Sequence, residues 1–340
     1  MKNKNINIAL YDAKAYDINS FNNANTDFGF KINYLENNLT AETVRYAQGC
    51  QAVCAFVNDD LGPAVLDELE KLNIKLIAMR CAGFNNVDLG SAADRIKVVR
   101  VPAYSPYAVA EHTLAMILTL NRKTHRAYFR VRDNNFSLQG LLGFDMHGKT
   151  LGVIGTGRIG KTFIAMMRGF GMKILAYDMY PDQKFAAENN FSYVDKETVY
   201  SQSDIISLHC PLTDETFHLV DKQALAQMKT GVMLVNTSRG KLVDTAALIE
   251  ALKSGRVGSA ALDVYEEESE YFFVDYSDRI ILNDELVRLT SFNNVLVTSH
   301  QAFFTKEALA NIAATTLENI KEFVDGKKLT NEICTRCSEK

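Results

Sequence analysis

The chain has 340 residues, of which 47% are hydrophobic and 23% are charged, and its formal net charge is −4. This length is enough for two domains with separate hydrophobic cores. The mild acidity argues against a nucleic-acid-binding protein, which needs a concentrated basic surface, and no apolar stretch is long enough to span a membrane. The chain starts with a polar lead into a strand rather than with a signal peptide, so we expect a cytoplasmic protein.

Strand-like and helix-like segments alternate along nearly the whole chain, which is typical of α/β proteins with parallel sheets. In the first third, apolar runs predict four strands, at 6–10, 52–57, 76–79 and 98–101. Helical periodicity covers 41–48 and 63–72. A long helix is predicted over about 105–130. Its basic end is either a solvated face or a subunit contact.

The next segment carries the most informative motif. An apolar strand at 150–154 leads directly into a glycine-rich turn, Gly155-Thr156-Gly157-Arg158-Ile159-Gly160. Helical periodicity follows, so the three glycines allow a tight turn, the approach of a pyrophosphate and close packing of the helix on the strand. Asp178 ends the next apolar run, about twenty residues further on, where a carboxylate binds the adenosine ribose. Because a carboxylate repels a 2′-phosphate and no arginine follows it, we predict NAD rather than NADP.

Further strands are predicted at 204–208, 231–235, 259–262 and 295–297, and a helix at 306–324. Arg239, Asp263 and His300 follow the ends of three of these strands, where open parallel sheets bind ligands. An arginine can hold a carboxylate with two hydrogen bonds, and a histidine is an acid or base near neutral pH. His209 also lies at a strand end. Spacing alone does not choose a catalytic member of the acidic run at 266–270.

The cysteines give no sign of a metal site. Cys54, Cys81 and Cys210 lie in or beside apolar strands, where cysteine behaves as a small core residue. Cys334 and Cys337 have the spacing of a redox motif or half a zinc site, but no second Cys or His pair accompanies them. We therefore predict no metal.

Five motifs in the same order resemble those of the D-isomer-specific 2-hydroxyacid dehydrogenases, and within that family those of the bacterial fermentative D-lactate dehydrogenases. The resemblance covers nearly the whole chain. The motifs are the glycine-rich turn, Leu208-His-Cys-Pro-Leu-Thr213, Asn236-Thr-Ser-Arg-Gly240, Leu262-Asp-Val-Tyr-Glu-Glu-Glu268 and Ser299-His-Gln-Ala-Phe303.

This resemblance implies an α/β fold with two Rossmann-like, doubly wound parallel-sheet domains and an interdomain cleft. The glycine motif lies mid-chain, so we expect an NAD-binding domain over 105–300, inserted into a substrate domain formed by 1–104 and 301–340. The expected reaction is the reduction of pyruvate to D-lactate with NADH, and the expected assembly is a homo-oligomer, a dimer or a tetramer. The alternatives are a dehydrogenase for a bulkier or phosphorylated 2-keto acid and an NADH-sensing binding protein.

The resemblance also assigns site residues. The catalytic residues are Arg239, Glu268, which pairs with the histidine, and His300. The cofactor-binding residues are those of the glycine-rich turn (Gly155, Thr156, Gly157, Arg158, Ile159 and Gly160) together with Asp178, Cys210, Pro211, Thr237, Ser238 and Asp263. The substrate-binding residues are Ala82, Gly83, Tyr104, Arg239, His300 and Phe303.

Overall fold

The computed structural model describes residues 6–93 and 95–333, so Cys334 and Cys337 lie outside the described residues. The chain divides into two compact units. The first unit comprises Met1–Ser105 with Phe304–Lys340, and the second comprises Pro106–Phe303. In the described parts of the chain, no helix combines the length and the apolar character needed to cross a membrane.

The strands are β1 (Asn7–Leu10), β2 (Lys31–Tyr34), β3 (Ala52–Ala55), β4 (Leu76–Met79), β5 (Lys97–Val99), β6 (Thr150–Ile154), β7 (Lys173–Tyr177), β8 (Ser192–Tyr193), β9 (Ile205–Leu208), β10 (Val232–Asn236), β11 (Val257–Leu262), β12 (Val295–Val297) and β13 (Glu332–Ile333). The α-helices are α1 (Ala15–Asn25), α2 (Pro63–Lys71), α3 (Leu89–Ala92), α4 (Pro106–Arg122), α5 (Thr124–Arg132), α6 (Arg158–Met167), α7 (Gln183–Asn189), α8 (Lys196–Gln202), α9 (Lys222–Gln227), α10 (Thr245–Lys253), α11 (Asp284–Ser291) and α12 (Lys306–Val324).

Each unit contains one sheet with a doubly wound strand order. The first sheet has the order β13-β5-β4-β3-β1-β2, with β1 to β5 parallel and β13 antiparallel to β5. The second has the order β12-β11-β10-β9-β6-β7-β8 and is parallel throughout. Counted from β6, this is the dinucleotide-binding order 3-2-1-4-5-6 with one more strand at the end. The predicted pair of doubly wound sheets is confirmed.

Apolar faces of the helices cover the sheets. In the first unit, Leu317 and Ile320 of α12 are fully buried in one cluster with Leu10 and Leu76 of the sheet. In the second unit, one cluster joins α4 and α6 to the sheet. Another joins the helices from α8 to α11 to it. Helices on both faces are what a parallel sheet requires, because both of its faces are apolar.

Two predicted helices differ from the structure. The helix expected over 41–48 is wrong, because only the short 3-10 helix Val44–Ala47 forms there. The Thr43 hydroxyl binds the Asn38 carbonyl and the Thr40 amide, and such side-chain bonds compete with helix formation. The single helix expected over 105–130 is two helices, because Lys123 adopts a left-handed backbone conformation with φ 51°. The sequence analysis also missed β2, β8 and β13, of which the last two have only two residues each.

A buried ion cluster lies in the first unit, directly after β4. Arg80 is 3% exposed; its Nε lies 3.4 Å from Asp17 Oδ1, and its Nη2 donates to the Asp12 carbonyl at 2.9 Å. Asp59 is 2% exposed and accepts hydrogen bonds from two backbone amides. Burial raises the pKa of Asp59 to about 6, against the opposing effect of the Arg80 charge, and burial also raises the pKa of Asp17. The buried guanidinium therefore offsets carboxylates that burial disfavours.

Replacing Arg80 with methionine tests this cluster. At about pH 8 we expect the free energy of unfolding to fall by roughly 3–5 kcal/mol, because Asp17 and Asp59 become uncompensated buried charges. Burial raises the pKa of both carboxyls in the folded chain, that of Asp59 to about 6, so this loss shrinks as the pH falls and the carboxyls become protonated. Urea unfolding at about pH 5 and about pH 8 measures the difference.

The matched control is Arg95→Met, because the Arg95 guanidinium pairs with Asp67 and Glu70 at the surface. We expect a small loss of stability at both pH values. A loss for Arg80→Met that does not depend on pH would contradict this account of the cluster.

Candidate active site

The glycine-rich turn joins β6 to α6, with Gly157 as the residue before the helix. Gly155 has φ +95°, and a Cβ there would lie 2.5 Å from Cys210 N. A Cβ at Gly160 would lie 2.1 Å from the Gly155 carbonyl oxygen. Packing of the turn therefore requires both glycines. A Cβ at Gly157 would meet no protein atom within 4 Å, so protein packing does not require this glycine, whereas the approach of a pyrophosphate does.

Asp178 follows β7 and lies beside the turn. Its Oδ2 accepts hydrogen bonds from Thr156 N at 2.5 Å and Thr156 Oγ1 at 2.9 Å, and its Oδ1 accepts one from Tyr180 N at 2.8 Å. The carboxylate is thus fixed at the end of the strand next to the glycine-rich turn. A fixed acid and a turn of backbone amides at a helix N-terminus fit the ribose and the pyrophosphate of NAD.

Hydrogen bonds fix the loops after β9 and β10, which carry four of the predicted cofactor-binding residues. Ser238 Oγ donates to the Cys210 carbonyl at 2.6 Å, and Thr237 Oγ1 lies 2.8 Å from Thr113 Oγ1 of α4. Pro211 is held through its carbonyl, which accepts a hydrogen bond from Thr216 Oγ1 at 2.7 Å. Burial raises the pKa of the Cys210 thiol to about 11, so the thiol stays protonated and serves in packing.

Arg239 lies in the loop after β10, and Asn236 shapes this loop. The buried Asn236 side chain donates to the Arg239 carbonyl at 2.8 Å and accepts from Ser238 N at 3.0 Å. A Cβ at Gly240 would lie 2.0 Å from the carbonyl oxygen of Tyr265, so the loops after β10 and β11 are in direct backbone contact. The loop that carries Arg239 therefore lies against the loop that carries Glu268.

His300 and Glu268 form a hydrogen-bonded pair. His300 Nδ1 lies 2.8 Å from Glu268 Oε1, and Glu268 Oε2 accepts a hydrogen bond from Tyr265 N at 3.0 Å. His300 has φ 52°, a left-handed conformation that is uncommon for a residue with a side chain. Because Nδ1 is engaged by the carboxylate, Nε2 is the ring nitrogen through which His300 would exchange a proton with a substrate.

Asp263 fixes the backbone on both sides of His300. It is fully buried, and its carboxylate accepts hydrogen bonds from Thr298 Oγ1 at 2.6 Å and from the amides of Gln301 and Ala302, both at 2.9 Å. The His300 amide donates to the Asp263 carbonyl at 2.7 Å. Four hydrogen bonds to one residue thus stabilise the turn that presents the imidazole.

His112 of α4 also faces Asp263. Its Nε2 lies 3.2 Å from Thr298 Oγ1 and 3.4 Å from Asp263 Oδ1. Burial by itself would raise the pKa of the Asp263 carboxyl, but the hydrogen bonds from its neighbours outweigh burial and lower the pKa. Asp263 is therefore a buried anion at neutral pH.

His209, the other histidine at a strand end, has a different environment. Its Nε2 lies 2.9 Å from Ser207 Oγ, and its ring packs against Phe163 with the centroids 5.0 Å apart. Burial lowers the pKa of His209 to about 4, so the imidazole is neutral at physiological pH. A neutral, packed imidazole is a poor proton donor, which leaves His300 as the better candidate.

Comparison with known proteins identifies the family. The family model "D-isomer specific 2-hydroxyacid dehydrogenase, NAD binding domain" matches residues 114–302. The chain is 53% identical over 327 residues to the D-lactate dehydrogenase of Escherichia coli (strain K12), an alignment that covers 96% of this chain and 99% of that protein. The chain belongs to the D-isomer-specific 2-hydroxyacid dehydrogenases.

Solved structures of relatives have the same fold. The apo-structure of D-lactate dehydrogenase from Escherichia coli matches with a TM-score of 0.88 and 51% identity, over 96% of this chain and 100% of that one. The pyruvate reductase of Chlamydomonas reinhardtii matches with a TM-score of 0.91 and 42% identity, over 96% of this chain and 98% of that one. The second unit of this 2-hydroxyacid dehydrogenase is thus its NAD-binding domain.

The predicted site residues of this dehydrogenase fall into two groups. Those expected to bind the cofactor or to catalyse lie in the second unit, and so does Phe303, which is 8% exposed. Ala82, Gly83 and Tyr104 lie in the first unit, where their carbonyls accept hydrogen bonds from Arg100, Cys81 and Asn311 respectively. The approach of this second group to Arg239 and His300 stays a prediction, as does direct contact of Asp263 with the cofactor.

Three residues close to Asp263 or His300 were not predicted from the sequence. Thr298 and His112 hydrogen-bond around Asp263, and the Phe273 ring lies 6.0 Å from the His300 ring, centroid to centroid. The position of Thr298, two residues before His300 at the end of a strand, was a signal that could have found it. His112 and Phe273 approach from elsewhere in the chain and gave no such signal. Among the described residues, no group of three His, Cys, Asp or Glu side chains is placed to hold a metal ion.

Two glycine substitutions separate cofactor binding from folding. Gly157→Ala places a methyl group where no protein atom lies within 4 Å, so we expect normal thermal stability but NADH binding weakened by about tenfold or more, because the methyl group obstructs the pyrophosphate. Gly160→Ala pushes a methyl group against the Gly155 carbonyl, so we expect a clear loss of thermal stability. NADH fluorescence titration and thermal unfolding measure the two effects. Unchanged NADH affinity in Gly157→Ala would contradict the assignment of the turn.

Proposed function

We propose that this dehydrogenase reduces pyruvate to D-lactate with NADH. The observation that carries the proposal is the pair formed by His300 Nδ1 and Glu268 Oε1 at 2.8 Å, next to the loop of Arg239. Identity of 53% to a D-lactate dehydrogenase across 96% of the chain supports pyruvate as the substrate. A related dehydrogenase for a bulkier 2-keto acid is the alternative, and a panel of 2-keto acids distinguishes the two.

Arg239 recognises the substrate in this proposal. Its planar guanidinium donates two parallel hydrogen bonds to the carboxylate of the keto acid, which fixes the orientation of the adjacent carbonyl. The Asn236 side chain holds the backbone of this loop, so the guanidinium is presented from a fixed base. As negative charge develops on the carbonyl oxygen, the same cation stabilises it.

His300 is the acid in this proposal. Protonated His300 donates the Nε2 proton to the oxygen of the substrate carbonyl as that oxygen becomes an alkoxide. Glu268 accepts the Nδ1 hydrogen bond, which orients the ring and stabilises the imidazolium. Bound NADH supplies the hydride that reduces the keto carbon. In the reverse direction, neutral His300 is the base that removes the hydroxyl proton.

The remaining assigned residues contribute to binding in the same proposal. Ala82, Gly83 and Tyr104 help to hold the substrate carboxylate, and Phe303 lines the pocket for the substrate's methyl group. Within the NAD-binding domain, Asp178 binds the adenosine ribose, and the turn from Gly155 to Gly160 binds the pyrophosphate. A small apolar pocket discriminates weakly between substrates that differ by one methylene. We therefore expect pyruvate to be the preferred substrate, with slower reduction of slightly larger 2-keto acids.

We further propose that the protein acts in the cytoplasm as a homo-oligomer. Large apolar side chains are exposed on α5 and on the loop that follows it; Phe129 is 65% exposed, Phe136 72%, Leu138 82% and Leu142 88%. Exposed apolar residues clustered in this way are typical of a surface that another protein covers. A second copy of the chain is the partner that the family resemblance implies.

The rate of NADH oxidation with pyruvate, followed by separation of the lactate enantiomers, tests the proposed reaction. We expect D-lactate as the product. For His300→Ala we expect the turnover number to fall by a factor on the order of a hundred to ten thousand, because the general acid is lost. NADH binding should be retained, which shows that the variant is folded. Turnover equal to that of the wild type, or L-lactate as the product, would reject the proposal.

A further inference from the structure

His218 and Glu266 form a hydrogen-bonded pair that has no part in the chemistry proposed above. His218 Nε2 lies 2.6 Å from Glu266 Oε1, and Glu266 Oε2 accepts a hydrogen bond from Thr245 N at 3.1 Å. The two side chains are only 29% and 20% exposed. Burial alone would raise the pKa of the Glu266 carboxyl, but the hydrogen bonds from His218 and Thr245 outweigh burial and lower it. Glu266 is therefore a partly buried anion, and each of its two carboxylate oxygens has a hydrogen-bond partner.

The pair belongs to a contact between three segments of the second unit. The segment of His218 lies along the segment that follows Arg239, because His218 N donates to the Lys241 carbonyl and Val220 N to the Leu242 carbonyl, each at 2.9 Å. A left-handed backbone conformation at His218, with φ 49°, directs the chain into this contact. The ring of Phe217 stacks on the His218 ring, with the centroids 4.0 Å apart.

The third segment is the one that carries Glu268. Its backbone touches the segment of Arg239 at Gly240, where a Cβ would lie 2.0 Å from the Tyr265 carbonyl oxygen. The amide of the same residue, Tyr265 N, donates to Glu268 Oε2 at 3.0 Å. The segments of Arg239 and Glu268 therefore meet at Gly240, and Glu266 adds side-chain links to Thr245 and to His218.

We propose that His218 and Glu266 are a positioning pair, which fixes the Arg239 guanidinium relative to the pair formed by Glu268 and His300. The inference rests on the proposed function, in which Arg239 holds the substrate carboxylate. When the His218–Glu266 contact is lost, the contact at Gly240 remains but the two segments gain freedom, so the guanidinium is held less well. The glycine-rich turn and Asp178 follow β6 and β7, away from this contact in the sheet order, so the pair affects substrate binding more than the binding of the pyrophosphate and the adenosine ribose.

Three variants test the pair. His218→Asn keeps a residue that tolerates the left-handed conformation but shortens the side chain. Glu266→Gln keeps the shape and the acceptor for Thr245 but removes the charge. In the double variant both changes are present. The measurements are KM and kcat for pyruvate, the Kd of the pyruvate isostere oxamate for the NADH-loaded protein, the Kd of NADH, and thermal unfolding.

We expect each single variant to lose about tenfold to a hundredfold in kcat/KM, mainly through a higher KM, because a displaced guanidinium binds the carboxylate less well. The Kd of oxamate should rise in parallel, and the Kd of NADH should change much less, because the glycine-rich turn is intact. The double variant should be no worse than the poorer single variant, since both substitutions break the same interaction.

Glu270→Gln is the matched control. It removes one negative charge from the exposed end of the same acidic run, and it should leave KM and the oxamate Kd unchanged. If His218→Asn and Glu266→Gln behave like this control, or if their effects on kcat/KM multiply in the double variant, the positioning role is wrong. If the wild type reduces no 2-keto acid, the proposed function fails instead, and the oxamate Kd values still decide whether the pair positions Arg239.

Discussion

The buried carboxylate of Asp263 is the constraint on which the geometry of the candidate site depends. It is fully inaccessible to solvent, yet hydrogen bonds from His112, Thr298 and the Ala302 amide keep its pKa low, so it remains an anion. The Gln301 amide also donates to it. All of these donors except His112 flank His300 in the chain. Because the anion needs all of them, the chain is held in a left-handed turn at His300, and the imidazole is directed to Glu268.

The strand order of the second unit brings the functional groups to one edge of a sheet. β6 occupies the point at which the order reverses, and the glycine-rich turn follows it. β10, β11 and β12 are neighbours, and Arg239, Asp263 and His300 follow them in that order. All of these strands are parallel, so the loops after them lie at the same edge. A doubly wound sheet thus places the nucleotide site and the proposed proton-transfer site at the same edge, although the residues come from segments far apart in the chain.

Sequence reasoning succeeded where the signal is local. The pattern of apolar residues predicted both ends of β6 and of α12 correctly. Burial of a strand within a sheet and of one face of a helix dictates those patterns. Sequence reasoning failed at 41–48, where the Thr43 side chain bonds to the backbone in place of a helix. The choice of Glu268 came from the family resemblance and not from spacing. The contact of His112 with Asp263 joins residues 151 positions apart and has no local signature. The predicted cleft between the domains stays a prediction.

The most direct measurement of the central claim is the turnover number of Asp263→Asn beside its affinity for NADH. An asparagine has one acceptor oxygen and one NH2 group in place of two acceptor oxygens, so either the Gln301 amide or the Ala302 amide faces a donor and the turn at His300 is held less well. The account predicts a fall in kcat on the order of a hundredfold or more, much larger than any weakening of NADH binding, because the proposed acid is misdirected while the glycine-rich turn is intact. A variant that binds NADH and turns over pyruvate at the wild-type rate would contradict it.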